Sequence, residues 1–185
     1  PIHRVRLDSV EEDEFLFFTV YRSGMAVNSS PGVAADRRLN RLRDYRSWSE
    51  TERRTALEWY RACLLKAAYR ADVRSPNPNR WIVGKNPAFS QRIPDLLRCF
   101  PPARFIHLVR NPLQTVPSRL SLVRAVWKLR LPEIERLSPE EVEEIVRDSE
   151  RTYVLAEHDL RHLPEDTAIT IRFEELTADP ARVLT

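Results

Sequence analysis

Apolar residues recur at helical spacing in the stretch that follows Ser49. Leu57, Tyr60 and Leu64 lie three or four positions apart, which places them on one face of a helix. Ser49 and Glu52, at the start of this stretch, have the spacing of a capping box, in which each side chain satisfies a backbone N–H group of the other residue. We therefore predict a helix that begins at Ser49 and ends in the Pro- and Asn-rich loop after it.

Three further helices are predicted from their first residues. Asn111 is a good N-cap and Pro112 suits the first helical position, whereas Pro117 predicts a bend or a broken early turn in that helix. Ser138 opens the next helix with a proline and a capping box, and Asp179-Pro180 opens the last one. The predicted ranges are about 112–127, about 138–163 and from 179 onward.

Three short apolar runs have the character of strands: Trp81–Val83, Arg104–Val109 and Thr167–Phe173. A helix-like segment at about 89–100 lies between the first two, and the whole unit fits a right-handed βαβ crossover. Phe15–Tyr21 is apolar as well, and its periodicity fits a helix or a strand. Helices that alternate with strands predict an α/β fold with a parallel sheet.

Composition narrows the class of protein. A chain of 185 residues fits a single domain, here 1–185, and its 42% hydrophobic and 31% charged residues are typical of a globular one. No apolar stretch approaches the roughly 20 residues that span a bilayer, so we expect no membrane span. The net charge of +3 is dispersed, with acidic residues between the basic ones, and we expect no nucleic-acid partner.

The cysteines and glycines restrict the kinds of site that the chain can form. Cys63 and Cys99 lie in no Cys/His cluster, so we expect no metal. As free thiols they favour a reducing, cytoplasmic location, with the Golgi lumen as the alternative if the chain is eukaryotic. Gly24, Gly32 and Gly84 are the only glycines, so these 185 residues contain no glycine-rich phosphate loop.

A basic residue at the end of the second predicted strand marks a candidate anion site. Arg110 follows Val109 directly, and ligands of open α/β sheets bind beyond the carboxyl ends of the strands. The helix that begins next presents free N–H groups and the positive end of its dipole to the same place. Ser118 is seven positions beyond Asn111, about two turns, so the two residues share a helix face.

Lys85 repeats this arrangement after the first predicted strand. It precedes Asn86-Pro87, as Arg110 precedes Asn111-Pro112. A compact ammonium group at that place can neutralise negative charge on a group in transfer. The ordinary alternative for each residue is a solvated surface side chain, and the repetition within one βαβ unit is what favours an anion site.

These residues carry a resemblance to the sulfotransferases that use 3′-phosphoadenosine 5′-phosphosulfate (PAPS). FPPARFIHLVRNP, from Phe100 to Pro112, resembles that family's strand motif, which closes on an Arg and is followed eight residues later by a Ser. Lys85-Asn86-Pro87 resembles the lysine segment of tyrosylprotein sulfotransferases and many bacterial members. IRFEELTADP, residues 171–180, and the acidic run Glu11–Glu14 are similar to two further family segments.

The resemblance implies a fold, a reaction and roles for the site residues. The implied fold is a P-loop-type three-layer α/β domain with a mostly parallel sheet flanked by helices, incomplete at both ends and with its first strand and phosphate loop outside this chain. The implied reaction transfers a sulfuryl group from PAPS, the co-substrate, to a hydroxyl or amine of a small-molecule or peptide acceptor, without a metal. Arg110 and Ser118 would bind the 3′-phosphate of PAPS, and Lys85 would contact the sulfuryl group.

The general base departs from the family pattern. Many bacterial relatives have a His four positions after the Lys, where this chain has Phe89. A carboxylate of the acidic run is the leading candidate, and we expect Glu14, because the apolar residues 15–18 can anchor it. The alternative is that Glu14 is a solvated residue at a helix start.

Two other functions stay open on the sequence alone. One is a catalytically defective sulfotransferase-like module that binds a nucleotide or a partner, and the other is a small-molecule kinase of similar fold. A glycine-rich strand–loop–helix upstream in the reading frame would favour the enzyme, and Walker-type residues there would favour the kinase. No pattern in the sequence identifies the acceptor or the oligomeric state.

Overall fold

The computed structural model of the protein describes residues 13–20, 22–28, 39, 41–77, 79, 81–133 and 136–184. The α-helices described are α1 (Glu14–Phe18), α2 (Gly24–Asn28), α3 (Glu50–Arg74), α4 (Ile93–Cys99), α5 (Pro112–Arg130), α6 (Pro139–Arg161), α7 (Phe173–Ala178) and α8 (Pro180–Leu184). The strands are β1 (Phe105–Val109) and β2 (Ala168–Arg172), and 3₁₀ helices cover Arg41–Arg43, Tyr45–Ser47 and Pro87–Gln91. Glu11 and Glu12 of the acidic run lie outside the described residues.

The long helices begin where the capping residues predict. The Ser49 side chain accepts the Glu52 N–H at 3.3 Å, and the Glu52 carboxylate accepts the Ser49 N–H at 2.8 Å. Ser138 and Glu141 make the same pair of bonds at 3.2 and 2.9 Å. Both capping boxes are therefore confirmed, as is the helix that follows Asp179.

Two stretches for which the sequence predicts no continuous helix are helical in the structure. The apolar residues after Asp13 form α1, a short helix rather than a strand. Helix α5 starts at Pro112 and continues through Pro117 to Arg130, so the predicted break of its early turn is wrong. Pro117 has no N–H, so one carbonyl group in the first turn of α5 lacks its helical hydrogen bond. That turn is exposed, and water can satisfy the carbonyl group.

The sheet is smaller than predicted. Strands β1 and β2 pair in parallel, in register from Phe105 opposite Ala168 to Val109 opposite Arg172. The prediction of a strand at Trp81–Val83 is wrong, because these residues pair with no other described strand and their side chains are 51–90% exposed. The parallel α/β arrangement is confirmed for two strands, in a chain that is otherwise mostly helical.

The predicted helix over 89–100 is divided into two pieces by a proline. The 3₁₀ helix Pro87–Gln91 ends before α4, and Pro94 lies in the first turn of α4. In one continuous helix, Pro94 would be an interior residue without an N–H for the preceding turn. A new helix start accommodates it, because the first N–H groups of a helix have no partner within the helix.

Two clusters of buried side chains hold these elements together. The first cluster joins α1, α3, α4 and the 3₁₀ helix Tyr45–Ser47, and consists of Phe17, Tyr45, Trp48, Ala56, Leu57, Tyr60 and Leu96. The second cluster lies between α5 and α6 and consists of Val123, Trp127 and Ile145. The buried Gln91 bridges the two parts, because its side chain accepts the Tyr45 N–H at 3.3 Å and donates to Asp148 of α6 at 3.5 Å.

None of the described helices is both long enough and apolar enough to cross a membrane.

The capping boxes give a direct test of how the long helices are held. We expect Ser49→Ala and Ser138→Ala each to lower the free energy of unfolding by about 1 kcal/mol, because each removes the acceptor of a helix N-terminal N–H. Ser121→Ala, at an exposed position inside α5, is the matched control and should cost far less. Denaturant unfolding of the three variants measures this, and equal effects at all three positions would contradict the caps.

Candidate active site

Arg110 is held at the carboxyl end of β1 by its neighbours. Its guanidinium donates to the Gln114 side-chain oxygen at 3.3 and 3.1 Å and lies 5.2 Å from the centre of the Phe173 ring. Its carbonyl oxygen accepts the Tyr153 hydroxyl at 2.8 Å. The side chain nevertheless remains exposed, so its charge is oriented but open to a ligand.

The start of α5 already holds a carboxylate next to Arg110. Asn111 caps the helix by accepting the Leu113 N–H at 2.9 Å, and the Asn111 N–H donates to the Glu174 carboxylate at 2.9 Å. That hydrogen bond, followed by the charges of Arg110 and Arg172, holds the pKa of Glu174 below its usual value. This end of the sheet therefore favours a negatively charged group.

Ser118 lies in the second turn of α5, with an exposed side chain. Its position seven residues after the Asn111 cap places it on the helix face that starts beside Arg110. The structure thus provides the strand, the basic residue, the cap and the helix that the sequence predicted. The binding roles of Arg110 and Ser118 stay predictions.

Lys85 stands immediately before the other predicted helix start. Asn86 caps the 3₁₀ helix by accepting the Ala88 N–H at 2.8 Å, with Pro87 as its first residue. The Lys85 carbonyl accepts the Asp13 N–H at 3.1 Å, so its backbone is joined to the start of α1. Lys85 itself is exposed, and its contact with a sulfuryl group stays a prediction.

Glu14 is buried and ion-paired rather than solvated. It is only 4% exposed, and its carboxylate accepts the Asn86 side-chain N–H at 2.7 Å and two guanidinium N–H groups of Arg92 at 3.1 and 3.3 Å. The alternative of a solvated helix start is therefore wrong. The carboxylate instead joins α1 to the cap residue that follows Lys85.

Arg92 is the partner of Glu14, and no pattern in the sequence predicts it. It is 2% exposed, and its guanidinium carbon lies 4.1 Å from the centre of the Phe17 ring and 5.2 Å from that of Tyr45. Arginine is rarely buried unless it is paired, and Glu14 supplies the pairing charge from 78 positions away. A contact at that separation leaves no periodic signal in the sequence.

Asp13 and Tyr60 form a second polar contact beside Lys85. The Tyr60 hydroxyl donates to the Asp13 carboxylate at 2.8 Å. Burial raises the pKa of Asp13, and hydrogen bonds from Tyr60 and from the Lys85 backbone act against that rise. Burial, and next the bond to Asp13, also raise the pKa of Tyr60, which therefore stays protonated as a donor.

Gly84 gives this contact its room. A Cβ atom at Gly84 would lie 2.4 Å from the Asp13 carboxylate oxygen and 2.8 Å from the Tyr60 hydroxyl, closer than side-chain atoms approach one another. Phe89, which stands at the position of the family's His, packs against Tyr60 with ring centres 5.5 Å apart. Phe89 carries no exchangeable proton, whereas Asp13 and Tyr60, whose oxygens lie closest to that Cβ position, are both ionisable.

His107 is the one His of the described sheet, and it faces Thr170 of β2 at 3.5 Å. Burial lowers its pKa, which favours the neutral form of the ring. The described part of the chain contains no group of three or more residues suited to hold a metal ion.

The Glu14–Arg92 pair gives a stability prediction. We expect Glu14→Ala to lower the free energy of unfolding by about 3–5 kcal/mol, because it leaves the buried Arg92 charge without its partner. The control is Glu143→Ala, at a 62% exposed side chain paired with Arg147 on α6, which should cost at most about 1 kcal/mol. A loss at Glu14 no larger than that at Glu143 in thermal or urea unfolding would show that the pair is not buried.

The close approach at Gly84 gives a packing prediction. We expect Gly84→Ala to cost about 1–3 kcal/mol, because the added methyl group displaces the Asp13 carboxylate or the Tyr60 hydroxyl. Gly24→Ala is the matched control, since the nearest atom to its Cβ would be the Arg43 Cα at 3.3 Å, a tight contact without overlap. Urea unfolding compares the two variants, and a smaller loss at Gly84 than at Gly24 contradicts this packing.

Comparison with known proteins points in the same direction as the geometry. The model of a family described as the sulfotransferase family matches residues 17–185. Two curated relatives, the omega-hydroxy-beta-dihydromenaquinone-9 sulfotransferases of Mycobacterium bovis and Mycobacterium tuberculosis, are each 35% identical over 106 residues. That alignment covers 54% of this chain and 25% of each relative, so the match spans about a quarter of their length. No solved structure matches the chain.

The family match includes Lys85 with the 3₁₀ helix that follows it, and Arg110 with helix α5 that follows it. It favours the sulfotransferase interpretation over the kinase that the sequence left open. The chain therefore belongs to the sulfotransferase family.

Proposed function

We propose that this protein transfers a sulfuryl group from PAPS to a hydroxyl or amine of an acceptor. The observation that carries the proposal is the oriented, exposed guanidinium of Arg110 beside the capped start of α5, at the carboxyl end of a parallel strand. Family membership supports the reaction class. We also propose a P-loop-type architecture for this protein, which the resemblance to PAPS-dependent sulfotransferases implies.

Arg110 and Ser118 are proposed to bind the 3′-phosphate of PAPS. The guanidinium offers two N–H groups in the geometry that a phosphate accepts, and these now point to the neutral Gln114 side chain. A phosphate carries more charge than an amide oxygen and would compete well for the same donors. The Ser118 hydroxyl would donate from the second turn of α5.

Lys85 is proposed to act on the sulfuryl group. In the transfer, the acceptor oxygen or nitrogen forms a bond to sulfur while the bond from sulfur to the bridging oxygen of the donor breaks. Negative charge grows on that bridging oxygen, and an ammonium group beside it lowers the barrier. The backbone bond from Asp13 and the Asn86 cap support this role, because they restrict where the exposed Lys85 can lie.

The catalytic role of Glu14 stays a prediction, and its contacts favour positioning over proton transfer. Both carboxylate oxygens already accept hydrogen bonds from Arg92, one of them also from Asn86, and the group is nearly closed to solvent. We propose that Glu14 holds Asn86, and through it Lys85, against the start of α1. A second carboxylate is then needed to accept the acceptor proton.

The acceptor is proposed to be an alcohol. The names of the two mycobacterial relatives specify an omega-hydroxy compound. A small molecule with a primary hydroxyl is therefore the first substrate class to test.

The donor site is tested by nucleotide binding to the complete gene product. We expect Arg110→Ala to weaken the binding of adenosine 3′,5′-bisphosphate about 10- to 100-fold by calorimetry, because a hydrogen-bonded charge contributes about 1.5–3 kcal/mol. The affinity of Arg110→Lys should lie between those of Arg110→Ala and the unsubstituted protein, since an ammonium group keeps the charge but lacks the bidentate fork. Arg147→Ala, whose charge lies on α6 and pairs with Glu143, is the control and should bind as the unsubstituted protein does.

Unchanged affinity in Arg110→Ala would remove the assignment of the 3′-phosphate site. Equal losses in Arg110→Ala and Arg147→Ala would indicate a diffuse charge effect in place of a specific contact.

A further inference from the structure

We propose that Asp13 is the general base that accepts the proton of the acceptor hydroxyl, with Tyr60 as the residue that orients it. The inference rests on the proposed sulfuryl transfer and adds a catalytic residue to it. It differs from the prediction made for Glu14, although both residues belong to the same acidic run.

Position is the first argument for Asp13. Its N–H donates to the Lys85 carbonyl at 3.1 Å, and its carboxylate lies so close to Gly84 that a Cβ there would come within 2.4 Å of an oxygen. The carboxylate is therefore fixed beside the backbone of the residue that is proposed to contact the sulfuryl group. A base must lie within hydrogen-bond reach of the atom that attacks that group.

Accessibility is the second argument. Asp13 is partly exposed, whereas its neighbour Glu14 is 4% exposed and ion-paired with Arg92. An acceptor hydroxyl can approach Asp13 without the loss of a salt bridge. Proton transfer to Glu14 would leave the buried Arg92 charge uncompensated, at a large cost in free energy.

Orientation is the third argument. The Tyr60 hydroxyl donates to one Asp13 oxygen at 2.8 Å, and the Tyr60 ring is held by Phe17 and Phe89, with ring centres 5.2 and 5.5 Å away. The tyrosine belongs to α3, in the part of that helix that packs in the first cluster. A rigid donor on a packed helix fixes the carboxylate so that an oxygen points consistently toward substrate.

The proton balance of the step is complete. The acceptor oxygen forms its bond to sulfur, the bond from sulfur to the bridging oxygen breaks, and adenosine 3′,5′-bisphosphate leaves with the electron pair. The proton of the acceptor passes to the Asp13 carboxylate and then to water. The products are a sulfate ester and the nucleotide, and no oxidant, reductant or metal is consumed.

The pH dependence follows from the groups around Asp13. These are the Tyr60 hydroxyl, the Lys85 backbone and, further away, the Glu14–Arg92 pair. Burial raises the pKa of Asp13, so kcat should fall as the pH is lowered through that raised pKa, where the base becomes protonated. The Tyr60 hydrogen bond lowers the same pKa, so Tyr60→Phe should move this acidic limb to higher pH.

The test measures kcat against pH in the complete gene product, with radiolabelled PAPS as donor and geraniol, a primary alcohol, as acceptor. We expect Asp13→Asn to lower kcat about 100- to 1,000-fold and to abolish the acidic limb. Its affinity for adenosine 3′,5′-bisphosphate should stay within about twofold of the unsubstituted protein. Asp13→Glu should restore part of kcat and the limb with it, because the carboxylate is retained.

Glu14→Gln is the comparison variant for the neighbouring carboxylate, because an amide oxygen can still accept from Asn86 and Arg92. The substitution leaves the Arg92 charge uncompensated, so its stability and kcat are expected to fall, and only the shape of its pH profile is compared. Its acidic limb should remain. If the acidic limb is lost in Glu14→Gln and kept in Asp13→Asn, then Glu14 is the base and the inference is overturned. An unchanged kcat in Asp13→Asn would overturn it as well. An unsubstituted protein that neither binds the nucleotide nor forms the sulfate ester would instead overturn the proposed function, and the inference with it.

Discussion

The buried ion pair between Glu14 and Arg92 is the contact on which the Lys85 side of the candidate site depends. Glu14 and Arg92 are 4% and 2% exposed, so each charge has lost most of its contact with water. The opposite charge of its partner compensates for that loss, and either charge alone would be buried without a counter-charge. The pair lies against the Phe17 ring and also fixes Asn86, so one interaction connects the first cluster to the segment that carries Lys85.

The two halves of the site are held by different physical means. Lys85 is placed by side-chain and backbone contacts that reach across the chain, from α1 to the 3₁₀ helix after it. Arg110 is placed by the parallel register of β1 and β2, which brings Phe173 and Glu174 next to the start of α5. A packing defect in the first cluster should therefore affect the sulfuryl side more than the 3′-phosphate side.

Local signals in the sequence predicted much of this arrangement, and non-local contacts account for what they missed. The capping boxes and the Arg110–Asn111–Pro112 helix start are short-range features, and all are confirmed. The prediction of a strand at 81–83 is wrong because a strand needs a pairing partner, and local apolar character does not specify one. The Glu14–Arg92 pair could not be predicted, because no rule of spacing relates residues 78 positions apart.

A crystal structure of the complete gene product with adenosine 3′,5′-bisphosphate would show whether Lys85 and the start of α5 at Arg110 bind one PAPS molecule. We expect the 3′-phosphate within hydrogen-bond distance of the Arg110 guanidinium and the Ser118 hydroxyl, with the 5′-phosphate directed toward Lys85. A nucleotide bound elsewhere, or a 3′-phosphate that contacts neither Arg110 nor Ser118, would contradict this expectation.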